Sequence, residues 1–228
     1  AKQAELVLSK EDELAAKKEI VLLRNKTNLG WLKSANIGIK YAQADYVCLM
    51  NNDTCVTSGW LQEMIDVAEK EKDIGLVNPS SNSFGLNIPK NETIESFSRN
   101  LRSFKGQYRE LDNCIGFCML IKRPVIEKIG YFDEIFSPGY WEESDYCRRA
   151  YKEGYRSVCA KAAYVYHHEK ISFKSSKEIE DIKRRNMQIY HQRYNPQRIA
   201  FIINDISAYK SRELSNSVLS LARNGNIV

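Results

Sequence analysis

Short apolar runs alternate along the chain with segments whose apolar side chains recur every three or four residues. The runs are short enough for buried strands, and the recurring segments have the spacing of amphipathic helices. The runs that predict strands are Glu19 to Arg24, Tyr46 to Met50, Ile74 to Asn78, Asn113 to Lys122, Arg156 to Ala160, Ala163 to Tyr166 and Arg198 to Ile203. The segments that predict helices are 2–18, 31–44, 60–72, 124–129, 142–151, 175–194 and 213–224. This alternation predicts an α/β fold, Rossmann-like, with a mostly parallel sheet and helices on both faces.

The strand predicted at Tyr46 to Met50 ends abruptly at three polar residues, Asn51, Asn52 and Asp53. In an open α/β sheet, ligands bind at the carboxyl ends of the strands. The Asp53 carboxylate and the two neighbouring amides are hard oxygen ligands, which suit Mg²⁺ or Mn²⁺ better than zinc. An Asx-rich turn that caps the next helix would explain the same residues.

A second polar cluster opens the helix predicted at 142–151. Glu142, Glu143 and Asp145 place three carboxylates in its first turn, directly after a Pro-Gly turn and two aromatic residues. Acidic residues at the amino end of a helix are favoured by its dipole, which is a purely structural explanation. The neighbouring aromatic residues favour a walled pocket in which the carboxylates do chemistry.

The composition is that of an ordinary globular protein, with 43% hydrophobic and 28% charged residues. The net charge of +5 comes from the last quarter, since residues 170–228 hold eleven Lys or Arg and five Asp or Glu. These basic residues are scattered among acids and aromatics, so a solvated face is favoured and nucleic-acid binding is not. The six cysteines form no C-x-x-C pair, which predicts reduced, buried thiols in a cytoplasmic protein. Peripheral association with the inner face of a membrane is compatible with the basic tail.

The end of the chain restarts the pattern of strand and helix. After Asn195-Pro196, a new apolar run is followed by a loop at 204–210 and a further amphipathic segment. We therefore expect one domain over residues 1–195 and the opening strand and helix of another over residues 196–228.

Several separated stretches together resemble one family, the inverting nucleotide-sugar glycosyltransferases of family 2, which have the GT-A fold. The matching stretches are Asn28-Leu-Gly30, Ser34 to Ile39, Tyr46 to Thr54, Asn113 to Arg123, Gly130 to Glu134, Glu142 to Arg148 and Val165 to His168. They resemble the family's N-L-G, a-x-N-x-G-I, DXD, acceptor-side strand, G-x-F-D-E, E-D-x-D-L-x-x-R and V-x-H motifs. Each motif is weak alone, but their joint spacing over about residues 1–175 is specific.

The resemblance implies a nucleoside-diphosphate sugar donor, with UDP- or dTDP-sugars expected, and a glycan or lipid-linked acceptor in polysaccharide or cell-surface glycan synthesis. Asp53, Asn51 and His167 would hold Mg²⁺ or Mn²⁺ on the diphosphate. Glu143 would be the general base, with Glu142 and Asp145 orienting the acceptor. The residues that would contact the donor are Asn28, Gly30, Asn36 and Asn52.

The chain departs from the family pattern at three places. Asn51 and Asn52 stand where acidic residues are usual, in a variant that rhamnosyltransferase-like members share, and Glu143 stands where Asp is usual. The family's first nucleotide-binding strands have no counterpart before Ala1, so we expect a domain that is incomplete at its amino end. The tail from Arg198 is similar to the start of a GT-B glycosyltransferase domain.

Two other functions fit parts of the pattern. The amides at 51 and 52 and the glutamate at 143 leave open a catalytically silent module that binds a nucleotide sugar or a carbohydrate. Metal-dependent donor hydrolysis by the parent protein would argue against it. A metal-dependent phosphohydrolase on an α/β sheet would instead release inorganic phosphate from simple esters and would transfer no sugar.

Overall fold

A computed structural model describes residues 20–169, 177–201 and 212–224. The helix predicted at 2–18 and the loop predicted at 204–210 lie outside the described residues. The same holds for the last two residues of the strand predicted from Arg198 to Ile203.

The centre of the fold is a six-stranded sheet. Its strands are β1 (Tyr46–Met50), β2 (Thr54–Val56), β3 (Ile74–Ser80), β4 (Tyr108–Leu111), β5 (Cys118–Lys122) and β6 (Arg156–His167). The order is β1-β5-β3-β6-β2, and β4 also pairs with β6. β3 and β6 run parallel, whereas the other described pairs are antiparallel. The α/β class is confirmed, and the described sheet is mixed with its parallel pair at the centre, because apolar runs alone do not specify strand direction.

Helices cover both faces of this sheet. They are α1 (Gly30–Tyr41), α2 (Trp60–Ala68), α3 (Ile94–Asn100), α4 (Arg123–Ile129), α5 (Glu142–Lys152), α6 (Lys177–Tyr194) and α7 (Arg212–Arg223), with short 3-10 turns at Asn82–Phe84, Leu101–Phe104 and Glu134–Phe136. Six of the predicted helices are confirmed, with boundaries that shift by a few residues. None of the helices in the described ranges is both long enough and apolar enough to cross a membrane.

The core has two layers, one on each side of the sheet. Alternation along the strands sends successive side chains to opposite layers, as for Leu76 and Val77 in β3 or Met119 and Leu120 in β5. The first layer packs against α1, α4 and α5, and the second packs against α2. Both faces of β3 and β5 are therefore buried, which explains why their sequences are apolar runs without a polar face.

Three of the strand predictions are wrong in part. The run predicted from Asn113 to Lys122 is a strand only from Cys118 onward. Residues 20–24 do not form a strand, and the side chains of Ile20, Val21 and Leu23 are exposed. No described strand lies beside this stretch, so its apolar residues gain no burial there. Arg198 is only an isolated bridge residue, and no strand continues through residues 199–201. Conversely, the two runs predicted between Arg156 and Tyr166 form one continuous strand, β6.

Helix α7 is anchored to the sheet by one basic side chain. Arg223 is buried and donates to the carbonyl oxygens of Leu111 at 2.9 Å and Ser157 at 3.1 Å, and it pairs with Glu110. These bonds satisfy a guanidinium that would otherwise be costly to bury. That residues 196–228 open a second domain remains a prediction.

All six cysteines are free thiols, as the sequence predicts. Cys114, Cys118, Cys147 and Cys159 are buried, whereas Cys48 and Cys55 are half-buried. They fill the core as small apolar side chains.

Two glycines should respond oppositely to alanine. In β3, a Cβ at Gly75 would lie 2.7 Å from Val125 Cγ2 and 2.8 Å from Tyr155 Cβ, whereas a Cβ at Gly38 in α1 meets nothing within 4 Å. Gly75→Ala should therefore lower the free energy of unfolding by about 1–3 kcal/mol through overpacking. Gly38→Ala should raise it by about 0.5–1 kcal/mol, because alanine loses less backbone entropy in a helix. Urea unfolding of both variants checks the pair, and equal effects would contradict the packing described around β3.

Candidate active site

The candidate metal site begins where β1 ends. The chain turns at Asn52 and Asp53 between β1 and β2, and the Thr54 hydroxyl closes the turn by donating to the Asn51 carbonyl oxygen at 2.8 Å. Asp53 is buried, with 8% of its surface exposed, and Asn52 is exposed. The strand thus presents the Asp53 carboxylate at its carboxyl end, as the sequence predicts.

His167 lies beside Asp53 because β2 and β6 pair antiparallel with Thr54 opposite His167. His167 Nε2 is 3.2 Å from Asp53 Oδ1. The imidazole stacks on the Phe117 ring, with centroids 5.1 Å apart and an interplanar angle of 15°. The Asn82 side chain accepts from the His167 amide at 2.8 Å and donates to its carbonyl oxygen at 2.7 Å. The predicted proximity of Asp53 and His167 is confirmed, and the histidine is firmly oriented.

The contacts of Nδ1, the other ring nitrogen of His167, determine which of the two nitrogens carries the proton. Ser83 Oγ donates to Glu169 Oε1 at 2.6 Å and lies 3.0 Å from His167 Nδ1. A hydroxyl has one proton, so Ser83 must accept from Nδ1–H if it donates to Glu169. In the neutral ring, Nε2 then presents a lone pair to the Asp53 carboxylate. Two acceptors 3.2 Å apart require a cation or a proton between them.

A divalent metal ion fits this pair. Two neighbouring ligands on an octahedral ion with bonds of about 2.1 Å lie about 3.0 Å apart, close to the observed separation. Within the described ranges, no three His, Cys, Asp or Glu side chains are grouped closely enough to hold a metal. The pair would therefore supply two ligands and leave the others to water or phosphate oxygens, as Mg²⁺ sites on nucleotides commonly do. The orienting hydrogen bond at Nδ1 is the usual support for a metal-bound histidine.

The structure does not support Asn51 as a metal ligand. Trp31 Nε1 donates to Asn51 Oδ1 at 3.1 Å, so the amide oxygen is engaged. An indole N–H requires an acceptor, which fixes the orientation of the amide. Asn51 Nδ2 consequently faces His167 Nε2 at 3.5 Å and offers protons rather than a lone pair. Asn51 orients the site through Trp31 and His167.

Glu143 occupies a spot that only glycine at position 116 leaves open. Its Oε1 accepts from the Gly116 amide at 3.2 Å. A Cβ at Gly116 would lie 2.7 Å from that oxygen and 3.2 Å from the Trp31 ring. The Trp31 ring, which lies near the same glycine, also donates to Asn51 on the metal side of the site.

Glu142 and Glu143 are adjacent carboxyls with little access to water. Burial, reinforced by the charge of Glu143, raises the pKa of Glu142 to about 9. Burial also raises the pKa of Glu143, against the backbone N–H groups at the start of α5 and at Gly116, which stabilise its charged form. Glu142 is 3% exposed, and its Oε2 has no hydrogen-bond partner. Glu142 is thus neutral at physiological pH, and Glu143 is the carboxyl of the pair that can hold the negative charge.

The expected acceptor-orienting role of Asp145 is replaced by a structural one. Its side chain is fully buried, and both oxygens are engaged within the protein. Oδ2 accepts from Arg149 Nε at 2.8 Å, while Oδ1 accepts from Arg193 Nη1 at 2.8 Å and from the Tyr194 hydroxyl at 2.6 Å. Asp145 therefore ties α5 to α6, and its complete burial separates it from any substrate at the surface.

Two residues that were predicted to contact the donor make contacts within the protein instead. Asn36 is buried, and its amide donates to the Phe132 carbonyl oxygen at 2.9 Å and accepts from the Phe132 amide at 3.0 Å. Gly30 has φ +76°, and a Cβ there would lie 3.0 Å from Pro138 Cβ. Both residues join α1 to the segment before α5, so neither is placed to bind a donor.

The remaining donor candidates lie on the surface. Asn28 is exposed, and its Oδ1 accepts from the Gly30 amide at 2.9 Å, although the N-cap residue of α1 is Leu29. Asn52 is exposed beside Asp53. Donor binding by these two residues remains a prediction.

A cleft opens beside Glu143 between the start of α5 and α6. Its volume is about 500 Å³, and its walls are Tyr140, Trp141, Glu143, Ser144, Glu180, Lys183, Arg184 and Met187. The predicted aromatic wall next to the carboxylates is therefore present. The sequence predicted α6 as a basic, tyrosine-rich helix but did not indicate that it forms a wall of this cleft.

Sequence reasoning missed the residues that orient the site. Trp31, Ser83 and Glu169 lie in segments that looked like an ordinary helix or loop. Trp31 follows the N-L-G stretch, and Ser83 lies in the polar loop after β3, so both are close in sequence to recognised features. Their hydrogen-bond partners lie far along the chain and could not be predicted from it.

The architecture is shared with solved glycosyltransferases. The crystal structure of GalNAc-T7 with UDP, GalNAc and Mn²⁺ matches with a TM-score of 0.57 and 14% identity, over 82% of this chain and 40% of that one. The mannosyltransferase PcManGT of Pyrobaculum calidifontis, in complex with GDP-Man and Mn²⁺, matches with a TM-score of 0.54 and 14% identity, over 89% of this chain and 51% of that one. The fold is GT-A.

The sequence profile of glycosyl transferase family 2 matches residues 8–130, slightly more than half of the 228 residues. The chain belongs to this family. A curated relative, the low-salt glycan biosynthesis hexosyltransferase Agl10 of Haloferax volcanii, is 28% identical over 138 residues, which make up 55% of this chain and 44% of the relative. The chain thus spans less than half the length of this relative.

Replacing Glu142 by Gln should flatten the loss of stability at alkaline pH. A carboxyl whose pKa rises on folding contributes fully below its unfolded value of 4.5, and the contribution is lost as pH rises through about 9. Glutamine keeps the shape of the neutral acid and cannot ionise. We expect Glu142→Gln to melt several degrees above wild type near pH 8 and to converge with it near pH 5, in calorimetry across that range. The exposed Glu127→Gln in α4 is the control, and a Glu142→Gln variant with an unchanged pH profile would contradict the buried neutral state.

Proposed function

We propose that this chain is the catalytic unit of a metal-dependent inverting glycosyltransferase. It moves a sugar from a nucleoside-diphosphate donor to the hydroxyl of a glycan or lipid-linked acceptor, in the synthesis of a polysaccharide or cell-surface glycan. The single observation that supports this most is the position of Glu143. Glu143 lines a cleft of about 500 Å³ and contacts Gly116, and the Trp31 ring near that glycine bonds Asn51 on the Asp53 and His167 side of the site.

Asp53 and His167 would hold the metal, with Mn²⁺ favoured over Mg²⁺ because an imidazole is a softer ligand than a carboxylate. A divalent ion bound to the diphosphate acts as a Lewis acid and neutralises the charge of the leaving group. Ser83 and Glu169 keep the His167 lone pair directed at Asp53. UDP- or dTDP-sugars remain the expected donors. Asn28 and Asn52 are the exposed side chains that we propose contact them.

Glu143 would act as the general base. As the acceptor oxygen bonds to the anomeric carbon, its proton passes to a Glu143 carboxylate oxygen and the bond from the anomeric carbon to the diphosphate oxygen breaks. One displacement inverts the configuration. The raised pKa makes Glu143 a stronger base than an exposed glutamate, and the Gly116 amide holds its Oε1 in place.

Glu142 would support this step by staying neutral. Two charged carboxyls side by side in a buried turn would repel each other, so the proton on Glu142 allows Glu143 alone to be ionised. This assignment gives the two adjacent glutamates different roles, set by burial and by the backbone N–H groups around Glu143.

Glu143→Gln should abolish transfer and preserve donor binding. The amide keeps the shape of the side chain but cannot accept the acceptor's proton, so we expect a loss of about 10²–10⁴ in kcat. The assay is transfer from a panel of radiolabelled UDP- and dTDP-sugars by the full-length protein, with Glu127→Gln as the matched control. Wild-type rate should rise with pH through an apparent pKa above that of an ordinary glutamate. Full activity in Glu143→Gln would remove Glu143 as the base, whereas donor binding without transfer by the wild-type protein would favour the silent binding module.

Asp53→Asn should weaken Mn²⁺ binding more than Ser83→Ala does. Asparagine removes the anionic ligand, whereas Ser83→Ala removes only the orienting contact, for which a loss of about 10–100-fold is typical. Calorimetric titration with Mn²⁺ in the presence of UDP measures both, and the exposed Asp66→Asn in α2 is the control. Unchanged Mn²⁺ affinity in Asp53→Asn would remove this residue from the site.

A further inference from the structure

The short turn before α5 has an unusual backbone. Tyr140 has φ 71° and Trp141 has φ 74°, so two consecutive bulky residues adopt the left-handed conformation. Such conformations are unfavourable for residues with a side chain and persist only where their surroundings hold them. The next two residues are Glu142 and Glu143, so the direction of this turn sets the direction of the proposed base.

One buried side chain of α6 binds the backbone of this turn. Asn186 is fully buried, and its Nδ2 donates to the carbonyl oxygens of Phe136 at 2.7 Å, Gly139 at 2.7 Å and Tyr140 at 3.0 Å. Its Oδ1 accepts from the Arg185 guanidinium, which also donates to the Ser137 carbonyl oxygen. The whole hydrogen-bonding capacity of Asn186 is therefore spent on holding a segment that makes no regular secondary structure.

Other side chains of α6 hold the end of this turn and the start of α5. The Trp141 ring packs against Tyr190, with centroids 5.0 Å apart, and edge-on against His191 at 5.7 Å. Within the first turn of α5, Asp145 is bonded by Arg193 and Tyr194. Helix α6 thus holds the chain before and after Glu143 but leaves the Glu143 side chain facing the cleft.

We infer that Asn186 is a positioning residue for the proposed base, acting through the carbonyl groups of residues 136–140. The inference rests on the proposed function of Glu143 and extends the catalytic unit to helix α6, which lies beyond the residues matched by the family profile. Loss of the Asn186 amide releases three carbonyls and allows Tyr140 and Trp141 to relax toward ordinary conformations. Glu143 then moves relative to the acceptor, while the pair formed by Asp53, just before β2, and His167, at the end of β6, is unaffected.

The test compares Asn186→Ala with Val67→Ala, a buried substitution in α2 on the other face of the sheet. The loss of Tm is first measured for both variants, so that their kcat values are compared with the loss of stability known for each. In the full-length protein, we expect Asn186→Ala to lower kcat by about ten- to hundred-fold with the donor KM within two-fold of wild type, as a displacement of about 1 Å at the reacting centre does. Val67→Ala should leave kcat within about two-fold. Asn186→Ser, which keeps one donor, should fall between wild type and Asn186→Ala.

A spectroscopic readout separates positioning from the proposed activity. The chain has three tryptophans, so 5-fluorotryptophan labelling gives three ¹⁹F resonances, with that of Trp141 assigned by Trp141→Phe. Both Asn186 variants should shift or broaden the Trp141 resonance and leave that of Trp60 in place. An unmoved Trp141 resonance, or a kcat loss equal to that of Val67→Ala, would overturn the inference. A wild-type protein without transfer activity would instead count against the proposed function, and the resonance test would still decide whether Asn186 holds the turn.

Discussion

The pairing of β2 with β6 is the constraint on which the site depends. β2 is only three residues long, yet it places Thr54 opposite His167 and thereby joins two parts of the chain that are more than a hundred residues apart. The antiparallel ladder places Asp53 and His167 at the same corner of the sheet, where the two side chains are neighbours. Stacking on Phe117 and the bond to Ser83 then hold the imidazole in the orientation that leaves a site for a cation.

The carboxyl pair at the start of α5 shows how burial can divide two identical residues. Glu142 and Glu143 follow each other in the sequence, but Glu142 is almost completely enclosed and Glu143 reaches the Gly116 amide and the cleft. The cost of enclosing charge favours a proton on Glu142, and the backbone N–H groups favour a charge on Glu143. The pKa of the proposed base is therefore set by burial, which raises it, and by backbone N–H groups, which limit the rise.

Helix α6 holds the carboxyl pair and the start of α5 in place. Its polar side chains make bonds to the turn before α5 and to the buried Asp145, while its exposed surface forms a wall of the cleft. A buried ion pair of this kind contributes little net stability when its desolvation is counted, but breaking it leaves an uncompensated charge. The network around Asp145 therefore specifies one docking of α6 rather than simply strengthening it.

Much of this protein was determined by local sequence. The apolar runs place β1, β3, β5 and β6, and the position of Asp53 after β1 follows from where that run stops. The joint spacing of the motifs was enough to indicate family 2 and the GT-A fold.

Tertiary structure decided what each polar residue does. Asn36, Asp145 and Asn51 have the residue types of binding groups, but Phe132, the α6 side chains and Trp31 occupy their hydrogen-bonding atoms. The exposed run at 20–24 is apolar enough for a strand, but none of the described strands pairs with it. Strand direction and hydrogen-bond partners depend on residues far apart in the chain. A periodicity of two or of 3.6 residues reports which face is buried, and it carries no information about which distant group will lie against that face.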